Sequence, residues 1–306
     1  MKTKAASLNS MVLCYAFLSF AVLIPNEKMN IINWITSLAF NTAIYTVYSL
    51  FLIKNSTLKP LASLIILIYL IYILSARIRT IYQYLKLYHG NNSAAHILFI
   101  TLLFILIIVA NKKLQIYKMA PIFVCAIILF AAILLIINFK NINAYNLYFH
   151  KKSEIIEINN VTLFDYIIPM AVIANSIEGY KKYQAIYTVN LVSYVLIILT
   201  FISFSVFKGD LLYSLSPLQC IIQVSQTHLI NNYDALFNFL ICFIYFGSIL
   251  LILWAYKVLK QKFTYWKYGD LLLIVPLLIL NPVISVPVVV LEFIAVITCI
   301  IGREKV

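Results

Sequence analysis

Charged residues are scarce in this sequence. Only 11% of its 306 residues are Asp, Glu, Lys or Arg, while 64% are hydrophobic and the mean hydropathy is +0.99. A soluble domain carries about 25% charged residues, which keep its surface in contact with water. A chain of this composition cannot cover itself with polar groups, so we expect its solvent to be lipid. This excludes a soluble enzyme, a secreted disulfide scaffold and a nucleic-acid binder.

Acidic residues are the scarcest charges. The chain has 10 Asp and Glu against 23 Lys and Arg, which gives a formal net charge of +13. Most of the basic residues flank apolar runs, as they do in the cytoplasmic loops of membrane proteins. No basic stripe with interleaved aromatic residues lies outside those runs, so nucleic acid is not an expected partner.

The sequence also lacks the residue patterns of metal sites and of catalytic loops. Its five cysteines are scattered without a C-x-x-C spacing, and its four histidines share no ligand spacing. The longest polar loop, Lys140–Asn160, holds only His150, Glu154 and Glu157 as candidate catalytic groups. An envelope glycosyl- or acyltransferase would need more. We therefore expect no metal, no cofactor and no enzymatic activity.

Long apolar runs are abundant, and they predict about ten membrane-spanning helices. A short apolar piece, Leu211–Val224, contains Pro217 and is predicted to be interfacial or re-entrant. The last apolar block is divided near Asn281 and Pro282 into short ninth and tenth helices. The first eight spans are Leu8–Ile24, Ile31–Ile53, Leu61–Lys86, Ala94–Ala110, Met119–Phe139, Val161–Ile177, Ala185–Phe207 and Ala235–Leu259.

The distribution of basic residues supports this count. With ten spans and a cytoplasmic N-terminus, 15 Lys and Arg fall on the inner side and 8 on the outer side. Cytoplasmic loops are the ones that carry such an excess. The expected protein is therefore an integral protein of the inner membrane, with both termini in the cytoplasm and the lipid bilayer as its surroundings. Joining the last two spans would put Arg303 and Lys305 on the outer side.

Few ionisable residues fall inside predicted spans, where an unpaired charge costs several kcal/mol. Arg77 and Arg79 lie in the third span, Asp165 in the sixth and Glu292 in the tenth. All four fall in the outer half of the bundle. We expect Glu292 to form an intramembrane pair with Arg77 or Arg79. The alternative is that the arginines reach the membrane surface from a shorter helix.

The sixth span combines an acidic residue with a proline four positions later. Pro169 has no amide hydrogen, so the carbonyl of Asp165 loses its helical partner. In transporters with discontinuous helices, such a turn holds a cation or an ammonium group. A simple kink is the alternative. We expect Asp165, Tyr166 and Pro169 to contribute to a binding site.

In four places the chain resembles the spore germination permease family, the B subunits of nutrient germinant receptors. The similar stretches are Tyr69–Lys86, Ile108–Gln115 with Asn141–Asn143, Asp165–Lys182, and Ala235–Leu250 preceded by Ser214–Gln219. The family belongs to the amino acid–polyamine–organocation superfamily. The resemblance implies a transporter-like bundle of ten helices built as two inverted repeats of five. The whole chain, 1–306, would form one transmembrane domain, with a first repeat over about 8–139 and a second over about 161–302.

This resemblance also implies a function. The chain would bind a small nutrient such as an amino acid within the spore inner membrane and signal to partner receptor subunits. Asp165 would hold an ammonium group. Ser19 and Phe20 would line a break in the first helix, and Tyr245 and Gly247 would face it from the eighth.

Two further functions stay open at this stage. The chain could be a secondary amino acid transporter of the same superfamily, or a structural membrane subunit that binds no ligand. The second alternative rests on departures from the family pattern. Thr80 and Gln83 stand where the family has acidic residues, the first helix has no glycine in Phe17–Ala21, and the chain has six glycines in all.

Overall fold

The computed structural model describes the chain over residues 8–9, 12, 31–53, 58–89, 136, 139–143, 145–146, 166–177, 180–206, 233–261, 263 and 288–302. Helices contain 87% of the interpretable residues, and no β-strand occurs among them. The described part of the chain therefore confirms the predicted all-α class.

Most of these residues belong to six α-helices, which we number in chain order. A 3-10 helix at Phe139–Asn141 lies between the second and the third of them. The α-helices are α1 (Ile31–Leu52), α2 (Pro60–His89), α3 (Ile167–Ser176), α4 (Lys182–Val206), α5 (Tyr233–Lys260) and α6 (Val288–Ile301).

Five of the helices correspond closely to predicted apolar runs. Helices α1, α2, α4 and α5 match the second, third, seventh and eighth spans to within three residues at each end. Helix α6 falls in the second half of the divided C-terminal block. The fourth and ninth spans and the piece 211–224 lie outside the described residues, as do the first and fifth apart from isolated positions.

Local chemistry explains where two of the helices begin. Pro60 is the first residue of α2, a position where the missing amide hydrogen would have had no helical partner. At the start of α4, the Gln184 side chain accepts a hydrogen bond from the Lys181 amide at 3.2 Å, and the Gln184 amide donates to the Lys181 carbonyl at 3.0 Å. A glutamine that reaches back in this way satisfies an amide that the helix leaves without a partner.

The helices pack into one connected group with α3 inside it. Helix α5 packs against α3 and α2, while α1 packs against α4, α3 and α6. Helix α6 also packs against α2. Helix α3 therefore lies against both α1 and α5.

Hydrogen bonds between elements join the helix ends in two groups. At one end, the Asn175 side chain donates to the Leu52 carbonyl at 2.9 Å, and the Lys59 amide donates to the Gly302 carbonyl at 2.7 Å. These bonds bring together the ends of α1, α3 and α6 and the start of α2; we call this the first end. At the opposite end, the Ser205 carbonyl of α4 accepts from the Asn143 amide and from the Asn146 side chain.

One helical stretch among the described residues has the length and composition to cross a membrane. It is Pro60–Ile78 of α2, with 19 residues, of which half are buried. Two shorter apolar stretches are Thr42–Leu52 of α1 and Ile167–Ser176, which is α3. By itself, one such stretch is weak evidence for a membrane protein.

Candidate functional site

Helix α3 is buried on every side. All eight residues from Ile167 to Ala174 are buried, and the sequence of α3 has no polar residue before Asn175. A helix that is apolar all round is stable only when other elements surround it. Helices α1 and α5 provide two of these surrounding surfaces.

Helix α3 begins directly after the residues that the sequence singled out. Tyr166 is fully buried, has right-handed helical backbone angles and accepts the amide of Met170 at 2.9 Å. Pro169 is the third residue of the helix. The predicted span starts at Val161, but residues 161–165, which include Asp165, lie outside the described part of the chain.

The position of Pro169 changes the interpretation of this proline. In a helix interior it would remove a hydrogen bond and produce a kink, whereas in the first turn the amides have no helical acceptor. Pro169 lies in the first turn of α3, so it fits the start of a helix and breaks no bond within it. The amides of Ile167 and Ile168 precede it, and a helix leaves such first-turn amides available to an acceptor outside the helix.

The other end of α3 is fixed to the first end of the bundle. The Asn175 side chain bonds to the Leu52 carbonyl, which is one of the carbonyls that α1 leaves without a helical partner. From there, ten residues at 1.5 Å per residue extend about 15 Å. The hydrocarbon core of a bilayer is about 30 Å thick. At about 15 Å, helix α3 is about half as long as such a core is thick.

Another predicted site residue lies on α5. Gly247 is buried, as are the residues that follow it from Ser248 to Leu253. Because α5 packs against α3, the buried segments that contain Tyr166, Pro169 and Gly247 belong to neighbouring helices. Tyr245 is on the same helix, but its side chain is not described. Ser19 and Phe20 lie outside the described residues.

The predicted charge pair falls on two helices that pack together. A Cβ at Gly302 would overlap Ala62, so these two residues set the register of α6 against α2. Counting 1.5 Å per residue from this contact, Glu292 lies about 15 Å along α6 and Arg77 about 22 Å along α2. Arg77 is half-buried and about 7 Å further along than Glu292, a gap that a long arginine side chain can reduce, whereas Arg79 is about 10 Å further. The pair stays a prediction, and the register favours Arg77 over Arg79.

A polar cluster that the sequence did not predict lies at the first end of the bundle. The Tyr180 hydroxyl donates to the Asn9 side-chain oxygen at 3.0 Å. Tyr180 lies between α3 and α4 and is 1% exposed. Burial raises the pKa of Tyr180 to about 12, and the nearby Thr188 hydroxyl lowers it by a smaller amount. The cluster ties the N-terminal segment to the connection that follows α3.

Neither the side chains nor known proteins identify a chemistry for this chain. Within the described ranges, no three His, Cys, Asp or Glu side chains are grouped so that they could hold a metal ion. The chain matches no family model, no curated protein and no solved structure.

Proposed function

We propose that the chain is a polytopic membrane protein with ten spanning helices, arranged as two inverted repeats of five over about 8–139 and 161–302. The grouping of helix ends supports this arrangement. In a chain of ten alternating spans, several segments lie on the same side of the membrane. They include the N-terminal segment, the connection between spans two and three, the connection between spans six and seven, and the C-terminal segment. Asn9, Leu52, Lys59, Tyr180 and Gly302 occupy these connections or border them. Asn9 is bonded to Tyr180, Leu52 to Asn175, and Lys59 to Gly302.

Within this fold, the chain acts as a permease-like subunit of a spore germination receptor and binds a small nutrient such as an amino acid in the membrane. The observation that carries this proposal is that α3 is a helix of only ten residues that is buried on every side. If its anchored end lies at the membrane surface, its first turn, about 15 Å away, lies at mid-depth. Helices that stop or start at mid-depth are the usual elements of substrate sites in transporters.

The chemistry of the two ends of an amino acid suits such a site. The first turn of a helix has free amides and the positive end of the helix dipole, both of which favour a carboxylate. Asp165, two residues before the first helical residue, offers the negative charge that an ammonium group requires. Tyr166, which is buried, stands in the sequence between Asp165 and the first turn of the helix.

Binding is turned into a signal by a shift between two arrangements of the bundle. A ligand can move such an equilibrium only through a difference in its affinity for the two states. Because α3 is connected to α1 through Asn175 and Leu52, a displacement of α3 on binding would be transmitted to the first end. Partner receptor subunits would read the change there.

Binding to an Asp165→Asn variant tests this function. The purified chain in lipid nanodiscs is assayed with a panel of labelled amino acids. Removing the carboxylate charge should weaken binding by about tenfold to about a hundredfold, since a hydrogen bond to a charged group contributes ~1.5–3 kcal/mol. The matched control is Asp234→Asn at the start of α5, which should bind as the unmodified chain does.

Two outcomes would contradict the proposal. If no amino acid binds the unmodified chain in the bilayer, the chain is not a nutrient-binding subunit. If binding occurs and Asp165→Asn leaves it unchanged, the ligand is held elsewhere. Flux of the bound amino acid into proteoliposomes would identify a transporter in place of a sensor.

A further inference from the structure

Helices α1 and α4 carry a group of large, mostly apolar side chains that are exposed. We call it the α1–α4 face. It contains large side chains spaced three, four or seven residues apart along α1 and α4, which is the spacing of one face of a helix. Its members are Phe40, Val47 and Phe51 on α1, and Tyr183, Tyr187, Tyr194, Ile198 and Phe201 on α4.

The two rows of side chains belong to neighbouring helices. Helices α1 and α4 form the most extensive helix pair in the described structure. Helix α1 ends at Leu52, and α4 starts a few residues after Asn175, which is bonded to Leu52. The two helices therefore run in opposite directions from the first end. Counting residues from that end places Phe40 at about the height of Tyr194, and Val47 at about the height of Tyr187.

Tyr194 is in an unusual place for a tyrosine in a membrane helix. It lies twelve residues from each end of α4, or about 18 Å, so it sits at the centre of the span. Its side chain is 64% exposed. Tyrosine is normally enriched at the membrane surfaces, where its hydroxyl reaches water. At mid-depth, a hydroxyl that faces acyl chains has no acceptor.

The other polar side chains of α4 behave differently. Thr188 and Asn190 donate to carbonyls four residues earlier, and Ser205 donates to the carbonyl three residues earlier. Each therefore satisfies itself within its own helix. Among the described residues, the Tyr194 hydroxyl has no such hydrogen bond. Something that presents a hydrogen-bond acceptor must cover it.

We propose that the α1–α4 face is the contact surface between two copies of this chain in the membrane. None of the described members of the face is charged, so they do not make two copies repel each other. A phenol hydroxyl both donates and accepts, so Tyr194 of one copy can bond to the equivalent residue of another at the same depth. In a two-fold dimer, the same patch meets itself in this way. Ala43, exposed between Phe40 and Val47, lets the backbones approach closely.

This inference rests on the membrane location in the proposed function. An alkaline carbonate extraction therefore comes first. A chain that is released from membranes would contradict both proposals. A chain that stays in the membrane and shows no self-association would contradict only the contact between copies.

Disulfide cross-linking tests the contact. The five native cysteines are replaced by alanine, and Tyr194→Cys is introduced into this chain, purified and placed in lipid vesicles at a low protein-to-lipid ratio. On oxidation we expect a product of twice the chain mass. The matched control is Ile68→Cys, an exposed apolar position on α2, which should stay monomeric. Equal cross-linking of both variants, or of neither, would overturn the proposal.

A second variant tests the role of the Tyr194 hydroxyl and needs no introduced cysteine. Tyr194→Phe should weaken dimerisation by about threefold to about twentyfold, the range measured for single hydrogen bonds between membrane helices. Tyr145→Phe, an exposed tyrosine outside the face, should leave dimerisation unchanged. An unaltered dimer with Tyr194→Phe would overturn the hydrogen bond between copies. A cross-linked product of different mass, formed only in native membranes, would assign the face to another chain.

Discussion

Single residues at the ends of the helices determine how the described elements are joined. Asn175, Tyr180 and Lys59 each form a hydrogen bond to an element far away in sequence. In an apolar chain, these few polar contacts define which helix ends meet, because apolar side chains alone can pack in more than one register. The sequence pointed to ionisable groups inside the spans. It did not indicate these neutral side chains.

Because of Tyr180, the folded chain should become less stable at alkaline pH. Its pKa is raised from 10.0 to about 12 in the folded chain by burial. The folded state therefore holds this proton more tightly than the unfolded state. The contribution is complete below pH 10 and is lost as pH rises toward 12, at about 1.4 kcal/mol per pKa unit.

Unfolding of the reconstituted chain at pH 9 and at pH 12 measures this effect. The unmodified chain should lose about 2–3 kcal/mol more between these values than Tyr180→Phe does. The variant should also be less stable at pH 9 by about 1 kcal/mol, because Asn9 loses its donor. Tyr145→Phe, an exposed tyrosine outside the α1–α4 face, is the control. Identical pH profiles for the chain and Tyr180→Phe would contradict the buried position of this hydroxyl.

The helices show which parts of the fold the sequence could predict. Apolar runs bounded by polar or basic residues located α1, α2, α4 and α5 to within three residues, because such runs are long and their limits are marked. The start of α3 was not predicted. Val161–Tyr166 is mostly apolar, and a proline at position 169 is compatible both with a kink and with a first turn, so hydropathy cannot distinguish the two.

The candidate site stays a prediction. The pattern of an acid and a proline drew attention to residues 165–169, and of the predicted site residues Tyr166, Pro169 and Gly247 are buried. The anchoring of α3 by Asn175 and the cluster around Tyr180 left no periodic signal, because contacts between distant residues do not repeat along a helix. The family resemblance stays a prediction, since no known protein matched.

The contact between α2 and α6 depends on the absence of a side chain. A Cβ at Gly302 would overlap the Cβ of Ala62 and lie 2.7 Å from the Thr298 carbonyl oxygen. We expect Gly302→Ala to lower the free energy of unfolding by about 1–3 kcal/mol, the usual penalty for overpacking.

A double-mutant cycle separates this overlap from other effects. Combining Gly302→Ala with Ala62→Gly should recover part of the loss, because the two methyl groups no longer meet. Ala62→Gly alone is the control for the cost of a glycine in a helix, about 1 kcal/mol. Additive losses, with no coupling between the two positions, would contradict the close approach of α2 and α6.

The grouping of helix ends across the molecule predicts which residues lie on the same side of the membrane. Lys59 and Lys181 are exposed and lie next to hydrogen bonds of the first end, whereas Lys140 is exposed near the opposite end. A ten-span chain with cytoplasmic termini puts the first end in the cytoplasm.

Labelling of single cysteines in intact cells checks this orientation. With a thiol reagent that does not cross membranes, Lys140→Cys should be labelled directly. Lys59→Cys and Lys181→Cys should be labelled only after the membrane is permeabilised. Labelling of Lys59→Cys and Lys181→Cys from opposite sides would contradict the grouping of ends, and labelling of all three from one side would contradict the alternating spans.

The proposed function requires that α3 start at mid-depth and that Asp165 face a ligand there. The most direct measurement is the reaction of Asp165→Cys with a small water-soluble thiol reagent in a chain without its native cysteines, in the bilayer. We predict that this cysteine reacts and that amino acid ligands protect it, while Ile173→Cys, buried in α3, stays unreactive. An Asp165→Cys that is as inert as Ile173→Cys would contradict the claim.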